Sequence, residues 1–287
     1  MIGFQIVNLL VPGDPTHFTI QCPSGQWTFH ASTPLSAARQ TIATGPCLET
    51  YVAMNQVSLA NGAACDAGLV ELTPILLGAS YLTGLSVTVK GSIPNSDCMI
   101  VKPSQHWPRD RAMGPGSPVV GNVIDFSNAL ENIVWHWPTI SVKEKSRLLF
   151  HHWIDGLACW SLEDLYLSAT TLLQVIADTE KSRLKATGAQ RKKRRYTLYK
   201  MLATTSQAKG IQMPSRDWVA MRNTLIHEGR LLGGNYTGTT RQDCTNTAEE
   251  VLRWIDEYIH TTFSLGIVRA VRFHQGSLAN LNTYSLP

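Results

Sequence analysis

The sequence predicts an α+β protein: an N-terminal region of mixed helices and strands, then a C-terminal α-helical bundle. Three observations carry this prediction. Short β-prone runs between turn signals fill the first ~90 residues, a proline- and glycine-rich stretch follows at 102–118, and beyond Ser141 the apolar residues fall into the 3.6-residue period of capped helices. At 287 residues, 44% hydrophobic and 16% charged, the chain can bury one large core or two modest ones.

In chain order, the turn signals P-G-D-P and P-S-G-Q bracket candidate strands at 4–10, 17–21 and 27–30. Helices are expected near 48–59 and 74–83, and a strand at 86–90. Thr73 and Pro74 have the chemistry of an N-cap and a first helical residue, and Gly84 that of a stop. The uncharged run 72–89 has the length of a membrane span, but Pro74, two glycines and several Ser/Thr residues weigh towards a soluble helix. Pro103, Pro108, Pro115 and Pro118 then rule out a long helix and mark a linker. The expected domains are 1–118, an α+β sensing or binding region that includes the linker, and 119–287, the helical domain.

Helix starts in the second half are signalled by capping boxes at Ser141, Ser161 and Thr247, each followed three residues later by a carboxylate. After Ser161 the apolar positions are Leu162, Leu165, Tyr166, Ala169, Leu172, Leu173 and Ile176; after Thr247 they are Val251, Trp254, Ile255, Tyr258 and Ile259. Both sets trace one helix face. Helices at 192–208, stopped by Gly210, and at 216–228, stopped by Gly229, complete five.

The N-terminus M-I-G-F-Q-I-V-N has neither the basic flank nor the apolar core of a signal peptide, so a cytoplasmic protein is expected. Six cysteines without a C-x-x-C pair exclude a zinc ribbon and a thioredoxin-like motif, and reduced thiols are the simplest account. No P-loop or dinucleotide fingerprint occurs. The clusters His106-Trp107, Trp135-His136-Trp137 and His151-His152-Trp153 match no zinc spacing, so packing is expected there and no metal.

Charge is concentrated. Between Lys181 and Lys200 there are nine basic residues and no acidic one, and removing them takes the net charge from +4 to −5. Such a patch suits a polyanion. The run Arg191, Lys192, Lys193, Arg194 and Arg195 would hold an RNA backbone, with Tyr196 and Tyr199 available for base stacking. The alternative is a solvated basic segment.

The remaining chemistry lies in M-R-N-T-L-I-H-E-G, residues 221–229. The spacing R-x4-H carries little alone, because it occurs three times, at Arg147/His152, Arg222/His227 and Arg269/His274. Only Arg222 is followed by a polar residue, Asn223, and only His227 by a Glu-Gly helix end. Asn223 and His227 are one turn apart on a helix, whereas Arg222 stands about 140° round from His227.

With those residues in place, 218–229 resembles the signature of HEPN domains (higher eukaryotes and prokaryotes nucleotide-binding): arginine, a polar residue, three variable residues, histidine. The resemblance spans roughly 141–265 and is similar to ApeA-like HEPN proteins of bacterial antiphage defence. It implies a metal-independent endoribonuclease without a cofactor. Two helices facing across a homodimer would form the site, with Arg222 and His227 catalytic and Asn223 assisting. RNA, tRNA or mRNA, would be the partner, in a defence or regulated-toxin role with no membrane involved. A non-catalytic HEPN subunit that binds nucleic acid or nucleotide within a larger complex is the alternative. One departure is visible: where toxins paired with a nucleotidyltransferase carry a tyrosine two residues after the histidine, this chain has Gly229.

Overall fold

The computed structural model describes residues 2–43, 48–55, 62–93, 120–140, 143–159, 161–186, 197–266, 272–273 and 275–285. They belong to two compact units, Met1–Trp137 with Phe263–Ala270, and Pro138–Thr262 with Val271–Pro287. The fold is α+β, but the division falls at residue 137 and not at 118; the expected linker, 102–118, lies outside the described residues.

The first unit is built on a five-stranded antiparallel sheet. Its strands are β1 (Ile2–Val7), β2 (His17–Cys22), β3 (Gly25–Ala31), β4 (Glu49–Asn55) and β5 (Thr88–Ile93), in the order β2-β3-β4-β1-β5. The helix expected at 48–59 is therefore corrected to a strand. Tyr51, Ala53 and Asn55 alternate into the core, and β4 is paired on both edges, with β3 and β1. Long-range pairing overrode a locally ambiguous pattern.

Helix α1 (Leu35–Ala43) precedes β4, and α2 (Gly62–Thr83) is longer than the sequence reading allowed. Thr73 and Pro74 lie inside α2 and do not start it, and the Thr73 hydroxyl donates to the Leu69 carbonyl at 2.7 Å. Gly84 does stop it, at φ +70°. A Cβ at Gly78 would come within 2.8 Å of Ile133, so glycine there lets α2 lie close against α3 (Val123–His136). That contact, with Phe126 edge-on to Phe18 of β2, makes α3 part of the sheet unit and moves the division past residue 118. Among the described residues one segment, Cys65–Thr83, is long and apolar enough to cross a membrane, and 67% of it is buried, as in a core helix. The expectation of reduced thiols needs one correction: Cys65 is disulfide-bonded, while Cys22, Cys159 and Cys244 are in no disulfide.

Among the described residues the second unit has five α-helices, α4 (Lys143–Leu157), α5 (Leu162–Ala186), α6 (Leu198–Lys209), α7 (Arg216–Glu228) and α8 (Arg241–Phe263). Helix α5 touches α4, α6 and α7 and is the hub of the bundle. Every apolar position assigned to the inner faces of α5 and α8 is buried. Ser161 does cap α5, its hydroxyl accepting from Asp164 N–H at 3.1 Å and donating to the Asp164 carboxylate at 2.7 Å. Thr247 caps nothing. Helix α8 starts at Arg241, and its cap lies seven residues before Thr247, where Thr240 accepts from Asp243 N–H at 3.1 Å and Asp243 accepts from Thr240 N–H at 2.8 Å. The Thr247 hydroxyl instead meets the Tyr236 hydroxyl at 2.8 Å.

A C-terminal strap closes this unit. Buried Glu249 of α8 accepts from the N–H groups of Gly276 (3.1 Å) and Leu278 (2.9 Å), and buried Glu163 of α5 accepts from those of Tyr284 (3.2 Å) and Ser285 (3.0 Å).

Candidate active site on helix α7

Helix α7 has a defined start and stop. The Ser215 hydroxyl accepts from Asp217 N–H at 3.1 Å, and Gly229 ends the helix at φ +69° with its N–H on the Leu225 carbonyl. A tyrosine at 229 would sit in a backbone conformation that side-chain-bearing residues rarely adopt, so this helix end suits the glycine found there.

One face of α7 is buried through Trp218, Met221, Thr224 and Leu225. Three contacts fix it. The Tyr166 hydroxyl of α5 donates to the Trp218 carbonyl at 2.7 Å, the Trp218 indole N–H donates to Glu250 at 3.1 Å, and the Trp218 ring stands edge-on to Trp254 at 6.1 Å. The loop after Gly229 folds back on the helix. Thr224 Oγ1 donates to the Gly233 carbonyl at 3.1 Å, and Thr237 Oγ1 donates to Asp217 at 2.8 Å. Burial raises the Tyr166 and Tyr236 hydroxyls well above the usual phenol range, so both stay protonated and Tyr166 remains a donor.

On the open side, Asn223 and His227 are exposed and Arg222 is half-buried. Arg222 Nη1 donates to Asn223 Oδ1 at 3.2 Å. That bond closes part of the angular gap: the guanidinium is drawn round to the side chain that shares a face with His227. Ile226, 47% exposed, lies beside them, and Glu228 pairs with Arg230 through contacts of 2.6 and 3.0 Å.

Comparison with family models, curated proteins and solved structures returns no match. The site's chemistry is therefore read from its own residues.

The other sequence-predicted residues are spread out. Arg147 and His152 lie on α4, one exposed and one half-buried, followed there by exposed Leu148 and not by a polar partner. Arg269 and His274 are outside the described residues, as are Arg191, Lys192, Lys193, Arg194, Arg195 and Tyr196. Helix α6 begins at Leu198 with Thr197 as its N-cap, so the basic run precedes that helix and does not form its first turn. Tyr199 is half-buried, and the guanidinium of Arg216 lies over its ring, 5.5 Å from the centroid. One face of that ring is thus already covered. Among the described residues no three His, Cys, Asp or Glu side chains are grouped to hold a metal. Trp137 and Trp153 are buried and Trp135 is 55% exposed.

The sequence reading missed the residues that hold α7. Tyr166 is one member of an apolar stripe, and Glu250 and Asp217 are ordinary helix carboxylates until their partners are known.

Proposed function

We propose that the helical unit is a metal-independent endoribonuclease of the HEPN type, acting in the cytoplasm as a homodimer whose two α7 helices face one another. The observation that supports this reading is the Arg222–Asn223 hydrogen bond, because it turns a bidentate phosphate donor towards the face that carries His227.

In this reaction the 2′-oxygen of one nucleotide attacks the adjacent phosphorus and the P–O5′ bond breaks, leaving a 2′,3′-cyclic phosphate and a 5′-hydroxyl. The proton lost from the 2′-hydroxyl is balanced by the proton gained at the leaving 5′-oxygen. His227 from each copy supplies one of these transfers. Arg222 neutralises charge on the non-bridging oxygens, and Asn223 orients Arg222. The substrate is RNA because DNA lacks the nucleophile. The sheet unit would sense or bind the trigger that a self-harming nuclease in antiphage defence or a toxin system needs.

A second reading has its own observation. The exposed His227 side chain makes no hydrogen bond to any described residue, which suits a non-catalytic HEPN module binding nucleic acid or nucleotide in a larger complex. An RNA cleavage assay in EDTA separates the two. The expected result is cyclic-phosphate-terminated product with the unsubstituted chain and none with Arg222→Ala or His227→Ala. Cleavage unaffected by both substitutions, or absent from the unsubstituted chain, overturns the enzyme reading.

A further inference from the structure

The exposed side of α7 continues beyond the residues already discussed. At 100° per residue, Arg216 lies within about 20° of both Asn223 and His227 around the helix, so the three form one polar stripe. All three are exposed. At 1.5 Å rise per residue, Arg216 stands about 10 Å from Asn223 and about 16 Å from His227 along the axis.

Arg216 is both held and unneutralised. Its guanidinium rests over the Tyr199 ring of α6 at 5.5 Å, a contact that fixes the cation without removing its charge. The carboxylate next in sequence, Asp217, accepts from Thr237, and Glu250 accepts from the Trp218 indole. Among the described residues Arg216 forms no ion pair, unlike Arg230, which Glu228 neutralises. The exposed Lys200 adjoins Tyr199 on α6.

We propose that Arg216, positioned by Tyr199, is a phosphate-binding subsite that takes the RNA backbone a few nucleotides from the bond cut at Arg222 and His227. The stripe then aligns the strand along α7, with Tyr199 as a support for the cation and not a base-stacking platform. This rests on the ribonuclease reading above and adds a residue to it.

The test is binding of a short fluorescein-labelled single-stranded RNA to the full chain carrying His227→Ala, titrated at several salt concentrations, together with cleavage by the otherwise unsubstituted chain. Adding Arg216→Ala should weaken binding several-fold and reduce the slope of log affinity against log salt by about one phosphate contact, while Arg216→Lys keeps the slope. Tyr199→Leu should weaken binding with the slope intact, because the charge remains; a purely structural loss would lower the melting temperature instead. If the His227→Ala chain binds RNA and Arg216→Ala changes neither affinity nor slope, this subsite is wrong although the ribonuclease reading survives. If the unsubstituted chain neither binds nor cuts RNA, both fall.

Discussion

The hydroxyl of Tyr166 donates to the backbone carbonyl of Trp218 at 2.7 Å, tying α5 to the first turn of α7 across 52 residues of sequence. Both residues are buried, so no water replaces the bond. Tyr166→Phe is expected to cost about 1 kcal/mol, the usual net worth of a buried hydrogen bond, and to lower the melting temperature by a few degrees. Because the bond sets where α7 sits, RNA cleavage at 20 °C should fall further than the folded fraction does. Equal activity per folded molecule, measured by circular dichroism beside the cleavage assay, would remove Tyr166 from any positioning role.

Asn223 offers a sharper test of how Arg222 is aimed. Asn223→Ala removes the acceptor for Arg222 Nη1, and single-turnover cleavage should drop about 10- to 100-fold, the range seen when an oriented donor is lost. RNA affinity should change much less, since the charge of Arg222 remains. Loss of affinity and rate in equal measure would instead make Asn223 a binding residue.

The bounds of α7 and the buried stripes of α5 and α8 were legible in the sequence because each is written in local chemistry: a cap, a 3.6-residue period, a terminal glycine. The starts of α3 and α8 were written there too, as Asn122 with Asp125 and Thr240 with Asp243, in the same pattern that marked Ser161. At Thr247 the motif was a false start, because its hydroxyl is used by Tyr236. Strand β4 was not legible, since its state depends on the two strands that flank it. At the candidate site, Arg222, Asn223 and His227 could be named from the polar residue after the arginine and the Glu-Gly helix end after the histidine, but not the side-chain reach that brings Arg222 to Asn223. Tyr166, Glu250 and Arg216 acquire meaning only through residues far away in the chain.

The strap across the helical unit depends on two buried carboxylates, and they should differ. Glu249 serves the Leu278 N–H, which is buried, whereas Glu163 serves Tyr284 and Ser285, which are more open, and keeps Oε2 without a partner. Losing a buried donor's partner costs about 1–3 kcal/mol. Glu249→Ala should therefore destabilise the chain more than Glu163→Ala in urea unfolding, and should also speed chymotryptic cleavage near Leu281 and Tyr284. A reversed order would mean that the Glu163 contacts carry the strap.

His260, in the last turn of α8, supplies a pH dependence. Burial pushes its pKa down to about 4, with Arg272 adding to the shift, against an ordinary value of 6.5. Between those values the unfolded chain binds a proton that the folded chain refuses, so stability rises with pH across the window. The contribution is fully present above about pH 6.5 and is lost as pH falls towards about 4, with a slope of at most about 1.4 kcal/mol per pH unit. Asp243, whose carboxylate is held below its ordinary 3.8 by hydrogen bonds from Thr239 and Thr240, titrates beneath this window. His151, lowered chiefly by burial, acts in the same direction as His260, so the effect is read as a difference. Urea midpoints collected from neutral pH to about pH 4.5 should decline less steeply for His260→Gln than for the unsubstituted chain, the two curves converging as the histidine protonates in both states. Parallel curves would mean that the imidazole is charged in the folded protein and that Arg272 tolerates it.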